Sequence, residues 1–91
     1  MAETDTPETP EQAREKAQAA DHARLVELKR SAEAARTEVQ AGPYYEGAWD
    51  PWRKLAEEYQ AALSAHVKEF GGNRYEVERG VWAALHEAEA A

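Results

Sequence analysis

Alanine dominates this chain: 20 of its 91 residues are alanine, and isoleucine is absent. Alanine loses no side-chain entropy in a helix and offers little surface to pack on a sheet, so this bias favours helix. The large apolar residues that lack a hydroxyl number only 14: five valines, five leucines, three tryptophans and one phenylalanine. We therefore expect an all-α protein with a small hydrophobic core.

The first helix has clear start and stop signals. Thr9-Pro10 supplies a capping hydroxyl and a proline at the first helical position, and Gln12 can bond back to the cap. Gly42-Pro43 marks the end, because glycine can adopt the left-handed conformation and proline cannot continue a helix. The sequence predicts a helix over residues 10–41. Its apolar positions recur every three or four residues, at Leu25, Leu28, Ala32, Ala35 and Val39.

Two shorter helices follow. Asp50-Pro51 resembles an N-cap followed by a first helical proline, and Gly71-Gly72 is a stop signal, which predicts a helix over residues 51–70. Asn73 can cap a third helix over residues 74–89. The second helix has the strongest amphipathic pattern in the chain, and we expect it to form a hairpin with the third.

These signals place a single three-helix domain at residues 10–91, built from a long N-terminal helix and a helical hairpin. Residues 1–9 are acidic and proline-containing, and we expect a disordered tail there. The sequence leaves open whether the long helix is straight or bends near Asp21. The chain begins without a signal-peptide pattern and has no long apolar stretch, so we expect a cytoplasmic protein that does not enter membranes.

The charge balance argues against several partners. Eleven basic and 18 acidic residues give a net charge of −7, which disfavours nucleic acid and anionic membranes. Cysteine is absent, so disulfides and zinc–thiolate sites are excluded. A small core without such cross-links, together with the apolar stripe of the first helix, predicts a homodimer.

The sequence offers no convincing catalytic, cofactor or metal site. His66 and His86 each precede a glutamate by three residues, but di-iron bundles use the opposite order with further inward glutamates. Ser31 and Ser64 lie mid-helix without a neighbouring base, and Gly71-Gly72 lacks the context of a phosphate-binding loop. We predict a protein that is not an enzyme. His66 is expected at the edge of the core, and His22 and His86 are expected to be exposed.

An unusual concentration of aromatic residues lies between the first two helices. We call Tyr44, Tyr45, Trp49 and Trp52 the aromatic loop. Trp52 is in phase with the apolar face of the second helix and should be buried, whereas Tyr44 and Trp49 should face outwards. Because tyrosine and tryptophan are frequent at interface hot spots, we predict that Tyr44, Tyr45 and Trp49 bind a partner protein. The alternative is that the aromatic loop caps the helical core.

A DNA-binding regulator is the alternative function. Residues 67–81 could form a helix-turn-helix, with Asn73, Arg74 and Arg79 facing DNA. Glutamates interleave with these residues on the third helix and would repel phosphates. A protein that mimics nucleic acid is a further alternative, although bases interleave with acids along every helix.

The segments Trp49-Asp50-Pro51-Trp52 and Asn73-Arg74-Tyr75-Glu76-Val77-Glu78 resemble short uncharacterised proteins of mobile elements and phages of high-GC bacteria. The resemblance covers about the carboxy-terminal half and implies a regulator, inhibitor or assembly factor rather than a metabolic enzyme. We therefore predict a small acidic, non-enzymatic protein–protein interaction module, acting as a regulator or inhibitor.

Overall fold

A computed structural model describes residues 7–90 of the chain, and within that range all regular structure is helical. The elements are α1 (Pro10–Ala41), α2 (Asp50–Phe70) and α3 (Arg74–Ala90). The prediction of an all-α, three-helix fold with a long first helix is confirmed. The predicted disordered tail lies, for residues 1–6, outside the described part of the chain.

The two ends of α1 are held in different ways. At its start, the Thr9 hydroxyl accepts a hydrogen bond from the Gln12 amide at 3.1 Å, and Thr9 N donates to Gln12 Oε1 at 3.0 Å. This reciprocal capping box is the predicted one. At its end, Gly42 has φ −104° and ψ 176°, so the predicted left-handed conformation is wrong. The following Pro43 explains this, because proline forces the preceding residue into an extended conformation.

The start of α2 also differs from the prediction. Asp50 is the first helical residue rather than the N-cap, and Trp49 occupies the cap position with φ −87° and ψ −3°. Two turn hydrogen bonds, Ala48 N to Tyr45 O and Asp50 N to Gly47 O, already wind the chain before the helix begins. The Asp50 carboxylate pairs with Arg53 at 3.2 Å, one turn into the helix. The backbone enters α2 through consecutive turns and needs no side-chain cap.

The predicted hairpin of the last two helices is only part of the packing. Helix α2 runs back along α1 and contacts it more extensively than it contacts α3. Helix α3 then packs against both.

One hydrophobic cluster joins the three helices. Its six buried members come in pairs, one pair from each helix: Leu25 and Val26, Tyr59 and Leu63, Val81 and Leu85. Leu25 and Ala32 of the predicted α1 stripe are buried, and Leu28, Ala35 and Val39 are half-buried. Val26, outside that stripe, is also buried. The face of α1 that suggested a homodimer is thus largely covered by α2 and α3 of the same chain.

Candidate functional site

The aromatic loop presents two tyrosines to solvent. Tyr44 is 80% exposed and Tyr45 is 66% exposed, which are large values for bulky aromatic side chains. Both lie in the connection between α1 and α2, at one end of the helical pair. Exposed Tyr44 agrees with the sequence expectation.

The two tryptophans of the aromatic loop behave alike, contrary to the prediction. Trp52 is half-buried rather than buried, and Trp49 is half-buried rather than facing outwards. Their ring centroids lie 5.6 Å apart at an interplanar angle of 88°, an edge-to-face pair. The turns before α2 bring Trp49 onto Trp52, a contact that helical periodicity could not predict. The tryptophans form the half-buried part of the aromatic loop, and the tyrosines form its exposed part.

A small pocket opens beside Tyr45. It has a volume of about 230 Å³ and lies between the end of α1 and the start of α2. Its apolar wall includes Val39, Pro43, Ala48 and Pro51. Tyrosine is enriched among the hot-spot residues of protein interfaces, and such residues cluster in pockets that become desolvated on binding.

The three residues predicted to face DNA in the alternative function each contact other residues of this chain. Asn73 Oδ1 accepts a 2.8 Å hydrogen bond from the Tyr75 amide and caps α3. Arg74 donates to Ser64 Oγ at 2.6 Å and to the side chain of Gln60, both on α2. Arg79 lies 5.9 Å from the centroid of the Tyr75 ring. Arg74 therefore joins α3 to α2, while the contact of Asn73 is local to the start of α3.

Sequence reasoning missed the polar pair in the interior. His66 is only 2% exposed, so it is buried rather than at the edge of the core, and its Nδ1 lies 2.8 Å from Asp21 Oδ2. Burial of an imidazole requires a partner, and Asp21 supplies it from α1. One signal was available: Asp21 lies four residues before Leu25 and so shares the buried face of α1.

A cleft of about 600 Å³ opens beside this pair. We call it the histidine cleft, and the lining residues that matter below are Glu15, His22, His66, Phe70, Glu76 and Gly80. His22 is half-buried, not exposed as predicted, and its ring lies 6.5 Å from that of His66. A Cβ at Gly80 would lie 3.4 Å from His22 Nε2, which shows that α3 passes close to His22 at this point. His86 is exposed, as predicted.

The other side of the core contains a buried phenol. Burial raises the pKa of Tyr59 to about 12, reinforced by the charge of Glu78 and by the hydrogen bond to its carboxylate, and Arg74 opposes the shift. Lys29 lies 5.0 Å from the Tyr59 ring centroid and 4.8 Å from that of Trp82. This cluster ties all three helices together.

Among the described residues, no three histidine, aspartate or glutamate side chains are placed to hold a metal ion. None of the described helices is long and apolar enough to cross a membrane. Comparison with protein-family models, curated proteins and solved structures found no significant match.

Proposed function

We propose that this chain is a small acidic, non-enzymatic protein–protein interaction module that binds its partner through Tyr44 and Tyr45, supported by Trp49. In this proposal it acts as a regulator or inhibitor of the protein it binds. The observation that carries the proposal is the exposure of Tyr44 and Tyr45 beside the apolar pocket at the end of α1.

The free energy that exposed tyrosines forgo by remaining in solvent supports this assignment. Two adjacent tyrosines in solvent forgo burial worth about 1.5–3 kcal/mol for each large side chain. The pocket beside Tyr45 offers a recess for an apolar side chain of the partner, and the tyrosine hydroxyls can bond to its backbone. Trp49 and Trp52 pair edge to face in the same loop, and this contact restrains the loop, which limits the entropy lost on binding.

The same surface can serve a second copy of the chain, which is how we retain the homodimer in the proposal. Most of the α1 stripe is covered internally, whereas Tyr44 and Tyr45 are exposed large side chains just beyond the end of that helix. Light scattering on a sizing column, with and without Tyr44→Ala/Tyr45→Ala, tests self-association. A dimer that becomes monomeric in this variant identifies the second copy as the partner.

Affinity capture tests a different partner. Tagged wild-type chain and the Tyr44→Ala/Tyr45→Ala variant are used with extracts of the source cells, and the captured proteins are quantified. Tyr75→Ala is the matched control, because Tyr75 is equally exposed, at 67%, but lies on α3. We expect a partner that Tyr75→Ala retains and the loop variant loses, with binding weakened by about 2 kcal/mol or more.

The variants also need a folding control and a contrary outcome. Thermal unfolding should be nearly unchanged in both, because exposed side chains contribute little to stability. A monomeric chain whose captured proteins are the same with and without the two tyrosines would refute the proposal. A mobility shift with duplex DNA that weakens steeply with salt would favour the DNA-binding alternative instead.

A further inference from the structure

The histidine cleft lies at the opposite end of the α1–α2 pair from the aromatic loop, so it is a separate site. It is formed by the first half of α1, the end of α2 and the start of α3. Its volume of about 600 Å³ is within the range of small-molecule pockets. No part of the proposed interaction surface contributes to it.

The tautomer of a neutral His66 ring follows from its partner. An ionised Asp21 can only accept a hydrogen bond, so Nδ1 of a neutral His66 carries the proton and Nε2 carries the free lone pair. Nε2 of His66 has no hydrogen-bond partner among the described residues. Every fully buried side-chain nitrogen and oxygen in this part of the chain has a partner, so Nε2 is not fully buried. His66 lines the cleft although it is only 2% exposed, and its neutral ring offers Nε2 there as an acceptor, oriented by the Asp21 carboxylate behind it.

The two carboxylates that line the cleft are its only lining charges among the described residues. Glu15 from α1 and Glu76 from α3 line it, and the lining residues of the described chain include neither lysine nor arginine. The carboxyl end of α2 and the amino end of α3 both border the cleft, and their opposite partial charges offset each other. The side chains therefore decide the potential. The Arg14 guanidinium lies 5.4 Å from the Phe70 ring centroid at the edge of the cleft, but the two lining carboxylates outnumber this one cation, so the potential attracts cations.

The residues that line the cleft also indicate which kind of cation it can bind. A metal ion would need several ligands placed around one point, and the described residues offer no such group. The Phe70 ring gives the cleft an apolar wall. A ligand with a cationic hydrogen-bond donor attached to an apolar chain fits both the carboxylates and the apolar wall of the cleft.

We propose that the histidine cleft binds a primary alkylammonium ligand. Its ammonium group donates a hydrogen bond to Nε2 of His66 and pairs with the carboxylates of Glu15 and Glu76. Its methylene chain packs against Phe70.

Nitrogen-15 NMR of the labelled chain tests this directly, with putrescine as the probe at constant ionic strength. We expect saturable shifts of the His66 Nε2 resonance and of amides around Glu15, Glu76 and Gly80. The neutral probe 1,4-butanediol has the same carbon chain and should cause no saturable shift. Equal responses to the two probes would overturn the proposal.

Charge-matched variants separate a specific site from general attraction to an acidic protein. Glu15→Gln and Glu76→Gln should each weaken putrescine binding about 1.4-fold to fivefold, the range for an exposed ion pair. Glu57→Gln removes the same charge from an exposed position outside the cleft and should leave binding unchanged. Equal weakening by all three would mean non-specific attraction and would refute the site.

Zinc chloride is the third probe in the NMR experiment. If zinc shifts the His22 and His66 resonances while putrescine shifts neither, the cleft is a metal site and the proposal is wrong. Circular dichroism of each glutamine variant should match wild type, because Glu15 and Glu76 are exposed.

Discussion

The Asp21 carboxylate on α1 accepts a 2.8 Å hydrogen bond from Nδ1 of His66 on α2, across 45 positions of sequence. The imidazole is buried, so the loss of its partner should be costly. We expect Asp21→Ala to lower the free energy of unfolding by about 1–3 kcal/mol, because it leaves a buried donor unsatisfied. Asp21→Asn keeps an acceptor oxygen and should cost less.

Urea denaturation measures both changes. Asp50→Ala is the control, because Asp50 also pairs with a basic residue, Arg53, but at an exposed position. Exposed ion pairs contribute about 0–1 kcal/mol. Similar losses for Asp21→Ala and Asp50→Ala would contradict a structural role for the buried pair.

Tyr59 should make stability fall in alkali. Its pKa is raised to about 12 in the folded chain, compared with about 10 in an unfolded one. Between these values the unfolded chain loses the phenolic proton and the folded chain keeps it, so the free energy of unfolding decreases as pH rises from 10 to 12. Denaturation at pH 9, 10 and 11 should show this decrease, and Tyr59→Phe should remove part of it. An identical pH dependence in Tyr59→Phe would show that other groups cause it.

Lys29 should stabilise the core through its charge. Its ammonium lies within 5.0 Å of the ring centroids of both Tyr59 and Trp82. Lys29→Met keeps most of the side-chain length and removes the charge, and we expect a loss of about 0.5–2 kcal/mol in urea denaturation. Lys54→Met, at an exposed position of α2, should change stability by less than about 0.5 kcal/mol. If Lys29→Met is neutral or stabilising, the cation–π contacts contribute nothing net.

The tryptophan pair gives a test of coupling. Both rings are half-buried, so Trp49→Ala and Trp52→Ala should each destabilise the chain, whereas the sequence pattern placed only Trp52 in the core. A double-mutant cycle should give a coupling of about 0.5–1.5 kcal/mol for the edge-to-face contact. Thermal or urea unfolding of the three variants suffices, and strictly additive losses would argue against the contact in solution.

Gly80 should accept alanine but nothing larger. A Cβ at this position would be in ordinary contact with His22, 3.4 Å away, and alanine is favoured over glycine within a helix by about 1 kcal/mol. We expect Gly80→Ala to raise the free energy of unfolding by up to about 1 kcal/mol and Gly80→Leu to lower it. A loss with alanine would mean that α1 and α3 cannot separate even slightly at this crossing.

The parts of the fold predicted well from sequence are those controlled by short-range chemistry. Thr9 and Gln12 cap α1 as expected, and the glycines at positions 71 and 72 end α2, because each signal acts over only a few residues. The start of α2 was misplaced by one residue because its preceding turns depend on backbone contacts that no residue type specifies. Tertiary contacts such as Asp21–His66 and Trp49–Trp52 were missed because periodicity assigns a face to each helix but does not pair the faces.

The first turns of α1 have a dynamic consequence. Residues 10–20 are all exposed, and the Arg14 guanidinium, which donates to Glu69 O at 2.8 Å and lies over the Phe70 ring, ties them to α2. With so little buried surface, amide hydrogen exchange there should proceed by local opening, far faster than around Leu63. Since Glu15 belongs to this segment, one wall of the histidine cleft fluctuates on its own while the three-helix core stays closed.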